Sequence, residues 1–264
     1  MIELETIYVT FNPGTPLETR ALNGVDLTIP DGQFVTVIGS NGAGKSTLLN
    51  TISGDIIPDR GKVKIAEQTV TKLPTHKRAK FVARVFQNPL AGSCAHLTVE
   101  ENLALAYRRG KSRGLRSALN RRLREDLRAQ LATLGLGLEN RLRDRMGLLS
   151  GGQRQAVSLL MSTLAPNKIL LLDEHTAALD PKTAESVLQL TRQIVEQRQL
   201  TTLMITHSMR QALDFGDRVL MLHQGKIIFD LAGTERNGLE VKDLLQLFEE
   251  KQDNFLSDDS LLLG

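Results

Sequence analysis

Residues Gly39, Ser40, Asn41, Gly42, Ala43, Gly44, Lys45 and Ser46 keep the spacing G-x-x-x-x-G-K-S, and nothing else in the chain restricts its fold so tightly. Three glycines within six residues let backbone N–H groups approach an anion without Cβ clashes. The run before them, 34–38 (FVTVI), is almost continuously apolar, as a buried parallel strand would be. The run after them, 45–52, reads as a helix. A helix starting there aims about half a positive charge at whatever the loop holds. In such a loop Lys45 reaches the β- and γ-phosphates of a nucleotide, the Ser46 hydroxyl ligates Mg²⁺, and Thr47 follows in the first helical turn. A plain glycine turn between strand and helix is the bland alternative. Strand, loop and helix in this order favour a P-loop nucleotide site in an α/β fold.

A second signal lies downstream. Residues 169–172 (ILLL) form another buried strand, and it ends in Asp173 and Glu174. An aspartate at the carboxyl end of such a strand can hold Mg²⁺, usually through water, opposite the Ser46 hydroxyl. The adjacent glutamate can polarise an attacking water. Two acids could equally open a helix, so this pair gains its meaning from the loop upstream.

The remaining pattern is α/β with one interruption. Strands are expected at 2–11, 25–29, 63–65, 82–86 and 201–206, and as a hairpin of 219–223 and 226–230 around a Gln-Gly turn. Residues 12–18 (NPGTPLE) are a turn-rich break. Helices are expected at 98–107, 117–134, 151–164, 181–197 and 239–250. The middle is basic: Arg108, Arg109, Lys111, Arg113, Arg116, Arg121, Arg122, Arg124 and Arg128 are opposed by Glu125 and Asp126. It suggests a helical insertion, about residues 92–165, within a domain of residues 1–250 followed by a tail of 251–264. Three readings of the basic stretch stand: a solvated helix face, proximity to anionic lipid headgroups, or a nucleic-acid surface. The last is weakest, because aromatics for base stacking are not interleaved.

Composition sets the outer limits. The 264 residues carry 33 Lys and Arg against 30 Asp and Glu, a net charge of +3, too small an excess to indicate nucleic acid by itself. With Cys94 as the lone cysteine, an internal disulfide is excluded and a reducing compartment is expected. No apolar run approaches the roughly 20 residues needed to cross a bilayer. A soluble protein is expected, with any membrane link made through a partner.

Leu149, Ser150, Gly151, Gly152 and Gln153 (LSGGQ) fall between the phosphate loop and the acid pair. With those elements, the chain resembles the nucleotide-binding subunit of ATP-binding cassette (ABC) transporters over about residues 2–250. Alone, the segment could be a loop and a helix cap, since Ser150 is a sensible N-cap. The resemblance implies an ABC-type P-loop NTPase: a mostly parallel core sheet, an N-terminal antiparallel β subdomain and an inserted helical subdomain. It implies ATP and Mg²⁺ as ligands. Gln87 then matches the glutamine that senses Mg²⁺ and contacts the transporter partner. Residues 178–180 match the loop that crosses the dimer interface, and His207 matches the histidine that contacts the γ-phosphate. Ser150, Gly151, Gly152 and Gln153 would complete the nucleotide site of a second copy. Phe11, or alternatively Tyr8, would stack on adenine. Many members carry proline after the catalytic glutamate, whereas this chain has His175, which needs no catalytic role beside Glu174 and His207. His76, His96 and His223 are read as structural.

The resemblance further implies an ATPase on the cytoplasmic face of the membrane. It would drive solute import through a separate integral permease, with a solute-binding protein as an indirect partner and no nucleic acid. The segments around Gln87 and Ser150 are similar to those of import ATPases paired with permeases of the branched-chain amino acid and sugar type. Amino acids are the favoured cargo. An exporter subunit, a soluble ABC ATPase acting on DNA or ribosomes, and a monomeric P-loop kinase are the competing readings.

Overall fold

Alternating apolar residues build the first layer. In β1 (Ile2–Phe11) the side chains of Ile2, Leu4, Ile7 and Val9 are buried, while the intervening positions face outward. β1 pairs antiparallel with β2 (Thr19–Ile29) and, on its other edge, with β4 (Arg60–Ile65), which carries the short β5 (Gln68–Thr69). The register of β1 on β2 slips near Thr6, whose φ is 50°. The bulge turns the strand rather than ending it. The computed structural model describes residues 1–110 and 119–250.

Strands that are apolar on both faces build the second layer. β3 (Phe34–Gly39), β6 (Val82–Val85), β7 (Ile169–Asp173), β8 (Thr201–Ile205), β9 (Arg218–His223) and β10 (Lys226–Ala232) form a sheet in the order β10-β9-β3-β8-β7-β6. All neighbours are parallel except the β9–β10 hairpin. Its turn places Gln224 and Gly225 at positive φ, the geometry of a two-residue hairpin loop. Val35, Val37, Ile169 and Leu171 point into the core shared with the first sheet and with α1 (Lys45–Ser53). Phe34, Leu170 and Leu172 point into a second core on the opposite face. β3 and β7 are thus sandwiched, which explains their nearly unbroken apolar sequences, whereas β10 at the sheet edge keeps Lys226 and Asp230 exposed.

The helical insertion has a core of its own. α3 (Val99–Tyr107), α4 (Arg121–Ala132) and α5 (Gly151–Thr163) gather Leu103, Leu123, Leu127, Leu131, Val157 and Leu160. The leucines of α4 recur every four residues and line one stripe. Its arginines take the other side: Arg121, Arg122 and Arg128 are exposed, and Arg124 pairs with Glu100 at 2.6 Å. Arg109 turns inward and donates to the Ser162 carbonyl at 2.8 Å. Lys111, Arg113 and Arg116, and the tail beyond 250, lie outside the described residues.

The expected elements all occur, with shifted ends. β2 begins at Thr19 rather than at 25, because pairing with β1 carries polar residues into the ladder. The last helix starts at 241, not 239. Three short elements had no periodic signal: β5, α2 (Thr75–Arg78) and α7 (Met209–Phe215). α2 exists to place Arg78. This fully buried guanidinium donates to the carbonyls of Thr51, Ile52, Leu73 and Thr71 at 2.6–2.9 Å. Two of those carbonyls belong to the last turn of α1, so the cation sits where the helix dipole is negative.

Candidate nucleotide and hydrolysis site

β3 delivers the chain to the loop. A Cβ on Gly39 would lie 2.2 Å from the Leu222 carbonyl oxygen of β9, and one on Gly44 would lie 2.3 Å from that of Ala21 in β2. Both glycines are therefore demanded by neighbouring backbone as well as by any ligand. The loop is pinned by the Ala43 N–H on the Ser40 carbonyl and by the Gly225 N–H on that of Ala43. α1 opens on Gly44 with no side-chain cap and no acid in its first turn. Its first N–H groups face the cleft unneutralised, which is an anion site. Lys45 is 6% exposed, and its Nζ donates to the Gly39 and Ser40 carbonyls at 2.8 and 2.9 Å. Burial pushes its ammonium below the usual lysine range, and the charges of Glu174 and Asp173 oppose that shift. The cleft, about 280 Å³, is lined by Phe11, Thr19, Ala21, loop residues 41–47 and Glu174. Ser46 and Thr47 are therefore on its wall. Phe11 is 41% exposed there, whereas the Tyr8 hydroxyl is packed over Gly24.

Glu174 closes the other side, and Asp173 precedes it at the end of β7 without lining the cleft. Glu174 has φ 46°, a left-handed conformation that an ordinary residue adopts only at a cost of about 1 kcal/mol or more. It is held there by its N–H on the Ile205 carbonyl at 3.2 Å and by the Ala177 N–H on its own carbonyl at 2.9 Å. The carboxylate meets His207, Oε1 to Nε2 2.7 Å. His207 follows β8 and is flanked by Thr206, whose hydroxyl donates to Gln211 at 2.7 Å, and by Ser208, which caps α7. Asp173 is engaged by Arg84 of β6, Nη2 to Oδ2 2.6 Å. The sequence carried no signal for this pair. Gln87 lies exposed two residues past β6.

Ser150 caps α5: its hydroxyl accepts from the Gln153 N–H, and the Gln153 side chain accepts from the Ser150 N–H and from Arg141. Gly152 has a packing reason. A Cβ there would stand 2.1 Å from Thr183 Cγ2 of α6 (Pro181–Arg198). None of Ser150, Gly151, Gly152 and Gln153 lines the cleft of their own chain.

Residues 22–177 match the family model described as ABC transporter. The chain belongs to the ABC transporter family. The cassette is 45% identical over 251 residues to the tyrosine transport ATP-binding protein of Clostridioides difficile, covering 94% of this chain and 99% of that one. It is 37% identical over 202 residues to the thiamine import ATP-binding protein ThiQ of Vibrio cholerae, covering 76% and 80%. Among solved structures it is similar to the dimeric post-hydrolysis state of the ATP-binding cassette MJ0796 bound to ADP and Pi. That likeness has a TM-score of 0.74 and 31% identity over 90% of this chain and 100% of that one. The fold class read from the sequence, an ABC-type P-loop ATPase, is thereby established, as is ATP as its nucleotide.

Three features of the cassette complete the site's surroundings. His175 is buried, and its Nε2 lies 3.1 Å from the Thr191 hydroxyl. That hydroxyl spends its proton on the Val187 carbonyl, so His175 Nε2 is the donor. Burial pushes its pKa down to about 4, and the ring is neutral at pH 7. Asp180 caps α6 by accepting from Thr183, with Pro181 in the first turn; those hydrogen bonds hold its carboxyl below the usual range. On the far side of β6 a groove of about 510 Å³ runs between the second sheet and the helical insertion. Arg84, Phe86, Pro89, Cys94, Leu105 and Arg109 line it. No helix among the described residues is long and apolar enough to cross a membrane.

Proposed function

We propose that this cassette is the ATPase of an importer, taking up an amino-acid-type solute through a separate integral permease, and that it works as a pair of copies. The likeness to a tyrosine transport ATP-binding protein along nearly the full length of both chains carries the reading. The groove lined by Phe86 and Pro89, which flank Gln87 in the chain, supports a membrane partner: Leu105 on its wall is exposed at 51%, with Arg84 and Arg109 lining the same groove. A solute-binding protein would deliver the cargo, and the cassette would sit on the cytoplasmic face.

In this reading the 41–47 backbone and Lys45 hold the phosphates of ATP, and Phe11 stacks on adenine. Ser46, Asp173 and Gln87 offer hydroxyl, carboxylate and amide oxygens, a hard donor set that suits magnesium. Magnesium, when bound, neutralises charge on the phosphates. Glu174 orients the attacking water, and His207, now on Glu174, turns to the γ-phosphate. Ser150, Gly151 and Gly152 of the second copy offer a second helix N-terminus to the same phosphates. That closing contact exists with ATP and is lost after hydrolysis.

Glu174→Gln is expected to bind ATP and accumulate as a dimer in size-exclusion chromatography, with turnover down at least about 100-fold. Ser150→Arg is expected to keep single-chain nucleotide affinity and lose turnover. Full turnover in Glu174→Gln refutes the role of Glu174 toward water, and full turnover in Ser150→Arg refutes the shared site. The import reading rests on reconstitution: ATP-dependent uptake of a labelled aromatic or branched amino acid into vesicles holding the permease. ATP-dependent capture of DNA or ribosomes without membrane association would favour the soluble alternative.

A further inference from the structure

Arg84 stands between two parts of the molecule. Its Nη2 donates to Asp173 Oδ2 at 2.6 Å, and its Nη1 donates to Asn50 Oδ1 of α1 at 2.6 Å and to Asp55 Oδ2 at 3.1 Å. The guanidinium carbon lies 4.7 Å from the centre of the Phe86 ring, and both residues line the groove. Arg84 and Asp173 are 12% and 14% exposed, so solvent screens the pair only partly. Three elements, α1, β6 and β7, converge on one cation. The phosphate loop, Glu174 and His207 make no use of it.

We propose that Arg84 is a positioning residue that sets the divalent-cation affinity of the site through Asp173. The proposal rests on Asp173 being the magnesium acid. With Oδ2 taken by Arg84, the carboxylate is held in one orientation, and Oδ1 is the oxygen left for the ion or its water. By pairing with Oδ2, the same guanidinium neutralises part of the Asp173 charge and so weakens the hold of that carboxylate on a cation. Arg84 therefore exchanges cation affinity for a fixed geometry. The fork geometry matters as well as the charge, because one planar group must reach Asp173, Asn50 and Asp55 together.

The test uses the full chain and a fluorescent ATP analogue, with Mg²⁺ titrated at equilibrium, beside the Mg²⁺ dependence of turnover. Arg84→Gln removes the charge and keeps a polar contact. Its half-saturating Mg²⁺ is expected to fall about three- to tenfold while the maximal rate drops. Arg84→Lys is expected to bring the half-saturation back toward the original value without restoring the rate. In an Asp173→Asn background, Arg84→Gln is expected to have no further effect on Mg²⁺ binding. An Arg84→Gln chain with an unchanged far-ultraviolet spectrum and an unchanged Mg²⁺ half-saturation overturns the proposal, as does an equal effect in the Asp173→Asn background. If Asp173→Asn alone leaves Mg²⁺ binding untouched, the magnesium-acid reading fails instead. A purely structural Arg84 would lower thermal stability and leave the Mg²⁺ half-saturation where it was.

Discussion

His175 stands beside the candidate catalytic glutamate, yet its ring faces away into α6. Its pKa of about 4 in the folded chain lies below its ordinary 6.5. On acidification the unfolded chain takes up the proton first, so stability is intact above about 6.5 and falls as the pH drops toward 4. The loss at pH 5 is about 2 kcal/mol, which in a chain of this size moves the melting temperature by about 5 °C. His175→Gln, which can still donate to Thr191, is expected to show a flatter melting profile between pH 7 and 5 while retaining most turnover. Parallel profiles for the two proteins would mean that acid sensitivity arises elsewhere. At this scale the sequence was legible where function and backbone demand coincide. Gly39 and Lys45 stand out by their spacing, and Glu174 by following an apolar strand downstream of that loop. The Arg84–Asp173 pair does not, because 89 residues separate two ordinary side chains that only the β6–β7 register brings together. The strained backbone of Glu174 was equally invisible, since it depends on Ile205 in another strand.

Among the elements, α5 is the one whose start serves two purposes. Ser150 and Gln153 form a reciprocal cap that orders the helix by itself, and Gly152 lets α6 approach. The glycine in LSGGQ thus has a packing requirement independent of any ligand. Gly152→Ala places a methyl against Thr183 Cγ2 and is expected to destabilise the chain by about 1–3 kcal/mol in urea unfolding. Adding Thr183→Ser, which deletes that methyl, should recover most of the loss. Failure of the second change to help would show that Gly152 is needed for another reason. Elements with whole turns of periodic apolar residues, such as α4 and α5, could be located from the chain alone, as could the sandwiched β3 and β7. α2 and α7 could not, because a four-residue and a seven-residue helix present too little period to detect. α2 is held by the bonds of Arg78, and α7 by the Ser208 cap and by Met209, Ala212, Leu213 and Phe215, an apolar stripe of less than two turns.

At the level of the whole molecule, the order of strands decides how the parts depend on one another. β3 lies between β8 and β9, and Gly39 is pressed against the Leu222 carbonyl. The hairpin turn after β9 also bonds the phosphate loop through Gly225. These neighbours all lie beyond residue 177, where the family match ends. A growing polypeptide must therefore emit nearly all of its length before residues 39–46 can take their final shape. Ribosome-stalled chains ending near residue 180 are expected to show no retention on an immobilised-nucleotide resin, and chains extended past residue 232, with room for the exit tunnel, are expected to gain it. The phosphate loop, within the stretch that matches the family model, is then among the last parts to be assembled, and an abortive translation product would carry the signature of an ATPase without being able to grip ATP.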